Sequence, residues 1–342
     1  MFPAFSRKEA HIDISQSTMP SLAPFVPSIL LLGAAHLTGA VQVRQLYQFP
    51  EATFIENIAV RSNGHLLLNT FANASTYTLD PSAENPKAEL IAQVPGITGL
   101  TGIAQVAHDV FAVTGGISDI ANYAWEAGTA QTAIINFKKC EKNGKPTVKT
   151  VAKGGNTTML NGMTALPKHQ HIVLHAGSKE GNIFRTNTAT GAFDIAFQDE
   201  KLGISAGAPV PLGINGLHVH GDYLYFTNSA QQFFGRVKIT DKGDRAGDIE
   251  EIARVETVPG GAAYDDFSLA RDGTAYIGLH PHFLVKVAPD GKQTVLVDDS
   301  GDIVLAGPTS TALSKDEKTV YVVTGGTTEA TGGRGQVVAV TL

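Results

Sequence analysis

From Val41 onward the chain alternates apolar and polar positions in short runs, each closed by a cluster of Gly, Asn, Asp or Pro. Alternation with period two predicts β-strands with one side chain in two turned to each face. One pattern recurs: a polar residue, a small or polar residue, an aliphatic or Phe, then alternation into a turn. Its clearest copies are Glu56-Asn57-Ile58, Asn161-Gly162-Met163, Asn215-Gly216-Leu217 and Asp265-Asp266-Phe267. Weaker copies start at Thr101 and Thr309, so the lead residues are spaced by 45, 60, 54, 50 and 44 positions. After each lead comes a turn and a second strand-like run, as in HLLLNTF, VFAVTGG and YLYFTN. Asn63-Gly64, Gly221-Asp222 and Asp272-Gly273 at the hinges have hairpin chemistry. A third run follows in every unit and a fourth in five of them, and the sixth unit stops at Leu342 after its third. Val43–Phe49 (VRQLYQF) is the spare strand that supplies the missing edge. Four strands repeated six times predict an all-β, six-bladed β-propeller over residues 41–342, its ring closed by an N-terminal strand. Closure is required physically, because an open ring exposes unpaired strand edges.

Residues 1–40 follow a different pattern. Leu22–Val41 contains no Asp, Glu, Lys or Arg, Arg7 and Lys8 lie upstream, and Thr38-Gly39-Ala40 is a small-residue stretch. This is the layout of a secretory signal peptide cleaved near Ala40, with Met1 or Met19 as the start. Pro24 and Pro27 weigh against a retained anchor helix, and no stable membrane span is expected once the leader is removed. The sequons Asn73-Ala-Ser and Asn156-Thr-Thr fit a secretory or secreted route and are candidate glycosylation sites.

Composition narrows the partners. With 26 basic and 32 acidic residues, a net charge of −6 and no Lys/Arg-rich run, nucleic acid is excluded as a partner. Cys140 stands alone, so neither an internal disulfide nor a cysteine-cluster zinc site is available.

The first strand of a propeller blade lines the central channel, so the six leads converge on one mouth. Glu56, Asn161, Asn215 and Asp265 then meet there as oxygen-bearing side chains, with Thr101 and Thr309 completing the ring. Two carboxylates and two amide oxygens suit one hard divalent cation, Ca²⁺ or Mg²⁺. Taken singly, each also suits a strand start, where Asn and Asp hydrogen-bond nearby backbone. An insertion around Tyr123 and Trp125 lengthens the second unit, and Tyr264 precedes a lead carboxylate; these are candidate aromatic walls for a largely apolar small molecule. The histidines at 169, 171 and 175, at 218 and 220, and at 280 and 282 read as polar loop residues rather than a zinc site. Period-two counting puts His218 on the strand face opposite Asn215.

The Glu56, Asn161, Asn215 and Asp265 positions resemble the metal centre of the gluconolactonase, senescence-marker-protein-30 and luciferin-regenerating-enzyme family. That resemblance covers about Val43 to Leu342 and implies a six-bladed propeller whose Glu, two Asn and Asp hold one divalent cation. The sequence departs from the usual Glu-Gly-Pro and Asp-Gly at Glu56-Asn57-Ile58 and Asp265-Asp266. The segments IENIAVRSNGHLLL, LNGMTAL, GINGLHV and DDFSLARDGTAYI are more similar to a filamentous-fungal branch concerned with natural-product pathways. Resemblance to that branch implies a hetero-Diels–Alderase joining a tropolone-derived o-quinone methide to a terpene alkene, with no cofactor required for cyclisation. Metal-dependent lactone hydrolysis and a non-catalytic binding propeller are the two alternatives.

Overall fold

The computed structural model describes residues 41–119, 122, 124–141, 144–208, 210–255, 262–327 and 331–342. The expected leader, residues 1–40, lies outside them, as does Tyr123. The alternating runs form six four-stranded antiparallel sheets, and the six innermost strands pack in order around one axis. These innermost strands are Ile55–Val60, Gly99–Ala107, Leu160–Leu166, Ile214–His220, Tyr264–Leu269 and Pro308–Leu313, which head blades 1 to 6. Gly64 and Gly273 turn two of the anticipated hairpins at φ +90° and +86°, a backbone region where a side chain is strained.

The apolar positions sort between blades rather than into one central core. Leu166, Leu174, Leu217 and Phe226 pack blade 3 on blade 4, and Phe234, Phe267 and Ile277 pack blade 4 on blade 5. Leu67, Leu100 and Val113 join blades 1 and 2, and Met163 and Ala112 join blades 2 and 3. A blade is therefore sandwiched, and strands buried on both faces read as runs such as LLLNT and VFAVTGG. No helix among the described residues is long and apolar enough to cross a membrane.

The ring closes as expected. Gln42–Gln48 pairs antiparallel with Gln336–Thr341 as the outer strand of blade 6, from Gln42 opposite Thr341 to Gln48 opposite Gln336. Leu46 buries its side chain against the neighbouring blade, and Gln336 Nε2 donates to Gln45 Oε1 at 2.8 Å. The first and last strands of the ring thus share one sheet, and neither end leaves a blade edge open.

Two outcomes follow. Deleting residues 41–50 exposes the edge of Gln336–Thr341 and yields aggregated protein on size-exclusion chromatography. Leu46→Ala costs about 2–5 kcal/mol by denaturant titration; a soluble deletion with an unchanged melting temperature contradicts the closure. Separately, burial pushes the His175 imidazole down to about 3, with Nε2 2.8 Å from Thr186 Oγ1. The unfolded chain takes up a proton near pH 6.5. The stability carried by the neutral ring is therefore complete above about pH 6.5 and declines as pH falls toward 3. Melting temperature should drop more steeply between pH 7 and 5 in the wild type than in His175→Gln, and parallel slopes contradict this.

Candidate functional site

All six leads stand at the second or third residue of an inner strand, at the same mouth of the channel. Each inner strand also carries a register shift at its lead, between Ile55 and Asn57, Leu100 and Gly102, Leu160 and Met163, Ile214 and Leu217, Tyr264 and Phe267, and Pro308 and Ser310. A β-bulge puts two residues opposite one and re-aims the side chain that is left unpaired. It also breaks period-two counting. His218 consequently lies on the channel wall, 3.7 Å from Asp266 Oδ1, and not on the face away from the channel.

Glu56, Asn215 and Asp265 come together on the floor of a cavity of about 360 Å³. His280 joins them, its Nε2 2.9 Å from Asp265 Oδ2. Asn215 Nδ2 donates to Ser229 Oγ at 2.9 Å, and Ser229 Oγ donates onward to the Tyr264 carbonyl at 2.7 Å. The Asn215 amide nitrogen is thus committed, which leaves its carbonyl oxygen for a ligand. Burial, reinforced by the Asp265 and Asp266 carboxylates, pushes Glu56 well above the usual carboxylate range. Burial likewise lifts Asp266 to about 7, against the hydrogen bonds it accepts from Phe267 and Asn57. Glu56 is thereby favoured neutral, and Asp265 stands beside an imidazole.

Above the floor the wall is apolar. Phe54 and Phe71 meet edge to face with centroids 5.4 Å apart, and Trp125, Met159, Leu212 and Pro281 continue the lining. These residues sit on the loops entering the inner strands and on those joining second to third strands. The insertion carrying Trp125 is one of the latter, running from Val110–Gly116 to Gln131–Cys140. Loops between first and second strands open at the opposite mouth, because each inner strand starts at the lead side and ends at the other.

The remaining expected residues are placed differently. Asn161 is 2% exposed, lies outside the cavity lining, and its Nδ2 has no hydrogen-bond partner. Thr101 and Thr309 do not line the cavity. Thr101 Oγ1 donates to the Leu160 carbonyl at 2.6 Å, and Thr309 Oγ1 to that of Ile55 at 2.7 Å, so both hydroxyls tie neighbouring inner strands together. Tyr264 borders the cavity but is fully buried, with its hydroxyl donated to Gln293. Asn73 and Asn156 occupy exposed turns. His280 and Ser229 were not singled out as site residues; the signal for both was their place just past the second strand of blades 5 and 4.

Among the described residues no group of three His, Cys, Asp or Glu side chains could hold a metal ion. A donor set completed by amide oxygen is a separate case. Glu56, Asp265 and the Asn215 carbonyl fit a hard divalent cation by type, and the repulsion from Asp265 and Asp266 that adds to burial in raising Glu56 is what such a cation would offset.

Asp265→Ala should abolish activity or reduce it strongly while moving the melting temperature by only a few degrees, because the side chain faces a cavity. His280→Ala should follow it in activity. Asn228→Ala should act through stability, since Asn228 is fully buried and its Nδ2 donates to the Lys201 and Gly203 carbonyls. Wild-type activity in Asp265→Ala would remove this floor as the site.

No family model matches the chain. It is 26% identical over 314 residues to a protein of Sarocladium schorii that bears the provisional name hetero-Diels–Alderase, covering 82% of this chain and 76% of the relative. It is 27% identical over 309 residues to a Phoma protein of the same provisional name, covering 82% and 86%. Among solved structures it is similar to luciferin-regenerating enzyme, with a TM-score of 0.63 at 14% identity over 89% of this chain and 96% of that one. The resemblance expected from the residues is therefore borne out, in sequence by the two relatives and in the six-bladed ring by the solved structure.

Proposed function

We propose that the protein is a hetero-Diels–Alderase-type cyclase of fungal secondary metabolism, joining a tropolone-derived o-quinone methide to a terpene alkene in the lead-side cavity. The observation that carries this reading is the division of one 360 Å³ cavity into an aromatic and aliphatic wall over a small polar floor. The two relatives that share its sequence, each provisionally named hetero-Diels–Alderase, support it over lactone hydrolysis. The volume lies within the usual range for small-molecule sites.

The reaction makes two bonds, from the heterodiene oxygen and its terminal carbon to the two alkene carbons, with no net proton transfer and no redox change. The chain's task is to hold both partners in one pocket, which contributes several kcal/mol by removing encounter entropy. Phe54, Phe71, Trp125 and Met159 would seat the terpene and keep water from the quinone methide. Glu56, held neutral, would donate its O–H to the heterodiene oxygen and stabilise the charge that grows there as the bonds form. Asp265 with His280 would orient the tropolone oxygens. Glu56, Asn215 and Asp265 also carry an oxygen set for Ca²⁺ or Mg²⁺; a cation bound there would polarise a substrate oxygen. We further propose a secretory route, which the exposed positions of Asn73 and Asn156 support.

The test supplies a tropolone o-quinone methide precursor and a terpene alkene with and without EDTA. Cycloadduct should form in both cases. Glu56→Ala should lower turnover by about 10²-fold, and Glu56→Gln, which keeps an N–H donor, by less. Efficient, EDTA-sensitive opening of an aldonolactone with Ca²⁺, Mg²⁺, Mn²⁺ or Zn²⁺ would overturn the cyclase in favour of a lactonase.

A further inference from the structure

Directly after the leads, the inner strands of blades 1 to 6 carry Asn57, Gly102, Gly162, Gly216, Asp266 and Ser310. The three glycines are demanded by close approach. A Cβ on Gly102 would stand 2.5 Å from the Asn161 carbonyl oxygen, on Gly162 2.4 Å from that of Asn215, and on Gly216 2.2 Å from Asp266 Oδ1. The other three residues bond one another: Asn57 Nδ2 donates to Asp266 Oδ2 at 2.8 Å, and Ser310 Oγ to Asn57 Oδ1 at 3.1 Å. Backbone amides hold the same acceptors, Ile58 N on Asn57 Oδ1 at 2.9 Å and Phe267 N on Asp266 Oδ1 at 2.7 Å. Asn69 Nδ2 donates to the Gly102 carbonyl at 3.0 Å and carries the contacts from blade 1 to blade 2. Contact therefore runs around the whole axis at this level.

On the far side lies a second cavity of about 390 Å³, lined by residues such as Ile103, Met163, His218, Ser268 and Thr311. It shares no lining residue with the lead-side cavity, and none of the six residues that follow the leads, Asn57 to Ser310, lines either. Asn57 and Asp266 are each 5% exposed and Ser310 1%. Both residues at which the sequence departs from the glycines of the resembled family, Asn57 and Asp266, are partners in one hydrogen bond.

We infer that Asn57, Asp266 and Ser310 form a clasp across the axis that seals the floor of the lead-side cavity from the far channel and fixes Glu56 against Asp265. Each clasp residue directly follows a lead, so the Asn57–Asp266 bond sets where the two carboxylates stand. Asp266 is thus a positioning residue. Sealing matters to the proposed reaction, on which this inference rests, because water adding to the exocyclic carbon of a quinone methide, with a proton to its oxygen, gives an alcohol in place of cycloadduct.

The experiment compares the full chain, Asp266→Gly and the reciprocal pair Asn57→Asp with Asp266→Asn, which rebuilds the hydrogen bond with its groups exchanged. Amide hydrogen exchange at Ile58 and Phe267 reads the clasp without any substrate. The ratio of cycloadduct to water adduct reads the seal. Asp266→Gly should speed Phe267 exchange by about tenfold or more and move products toward the water adduct, and the reciprocal pair should return both toward the wild type. Wild-type amides exchanging as fast as exposed turns, or a reciprocal pair that restores neither reading, would overturn the clasp. Faster exchange with an unchanged product ratio would overturn the seal. A wild type that makes no cycloadduct defeats the proposed function instead, and the exchange rates then decide the clasp alone.

Discussion

Close approach of six inner strands at one axis is the constraint on which the rest of this molecule depends. Backbone from blades 2, 3 and 4 comes so near its neighbours that no side chain fits beside Gly102, Gly162 or Gly216. The strands accommodate this by bulging, each at its lead, and the bulge turns one side chain out of the ladder. Glu56, Asn215 and Asp265 owe their convergence to that geometry. The same crowding leaves blades 1, 5 and 6 to fill the centre with the hydrogen-bonded set Asn57, Asp266 and Ser310.

Stability and chemistry are assigned to different places. Apolar clusters between successive blades hold the ring, and the outer strand Gln42–Gln48 closes it, so none of that material need change to alter the pocket. The pocket wall is made by loops: Phe71, Trp125 and His280 follow second strands, and Phe54, Met159 and Leu212 precede inner ones. Loops tolerate substitution better than the strands they join, which is why one scaffold carries unrelated chemistries.

The floor is electrostatically unusual for so small a site. Three carboxylates, Glu56, Asp265 and Asp266, crowd within a largely dehydrated centre. Asp265 has His280 beside it and Asp266 accepts from Asn57, while burial raises both Glu56 and Asp266 and favours Glu56 neutral. A neutral carboxyl under an aromatic wall donates a hydrogen bond where an ionised one cannot, and a dry surrounding strengthens that bond. Within the proposed cyclase, this combination suits a reactant that is apolar apart from one oxygen.

Much of this was legible in the residues. Period-two runs, hinge glycines and the recurrence of the leads are local properties, and strand number, blade number and ring closure follow from them because an edge must be paired. The lead residues were legible for the same reason, since equivalent strands of a ring share a mouth. Bulges were not, and they moved His218 onto the channel wall; a register shift depends on the neighbouring strand, which alternation along one strand does not contain. The threonine leads looked equivalent to Glu56 and Asp265, yet Thr101 and Thr309 spend their hydroxyls on backbone carbonyls next door. His280 and Ser229 joined the floor, and Asn57 met Asp266 across 209 positions of sequence, only through the fold. The sequence by itself determined the repeating unit, because strand and turn propensities are local. The tertiary structure decided which side chains touch, because distances across an axis are set by how six blades pack.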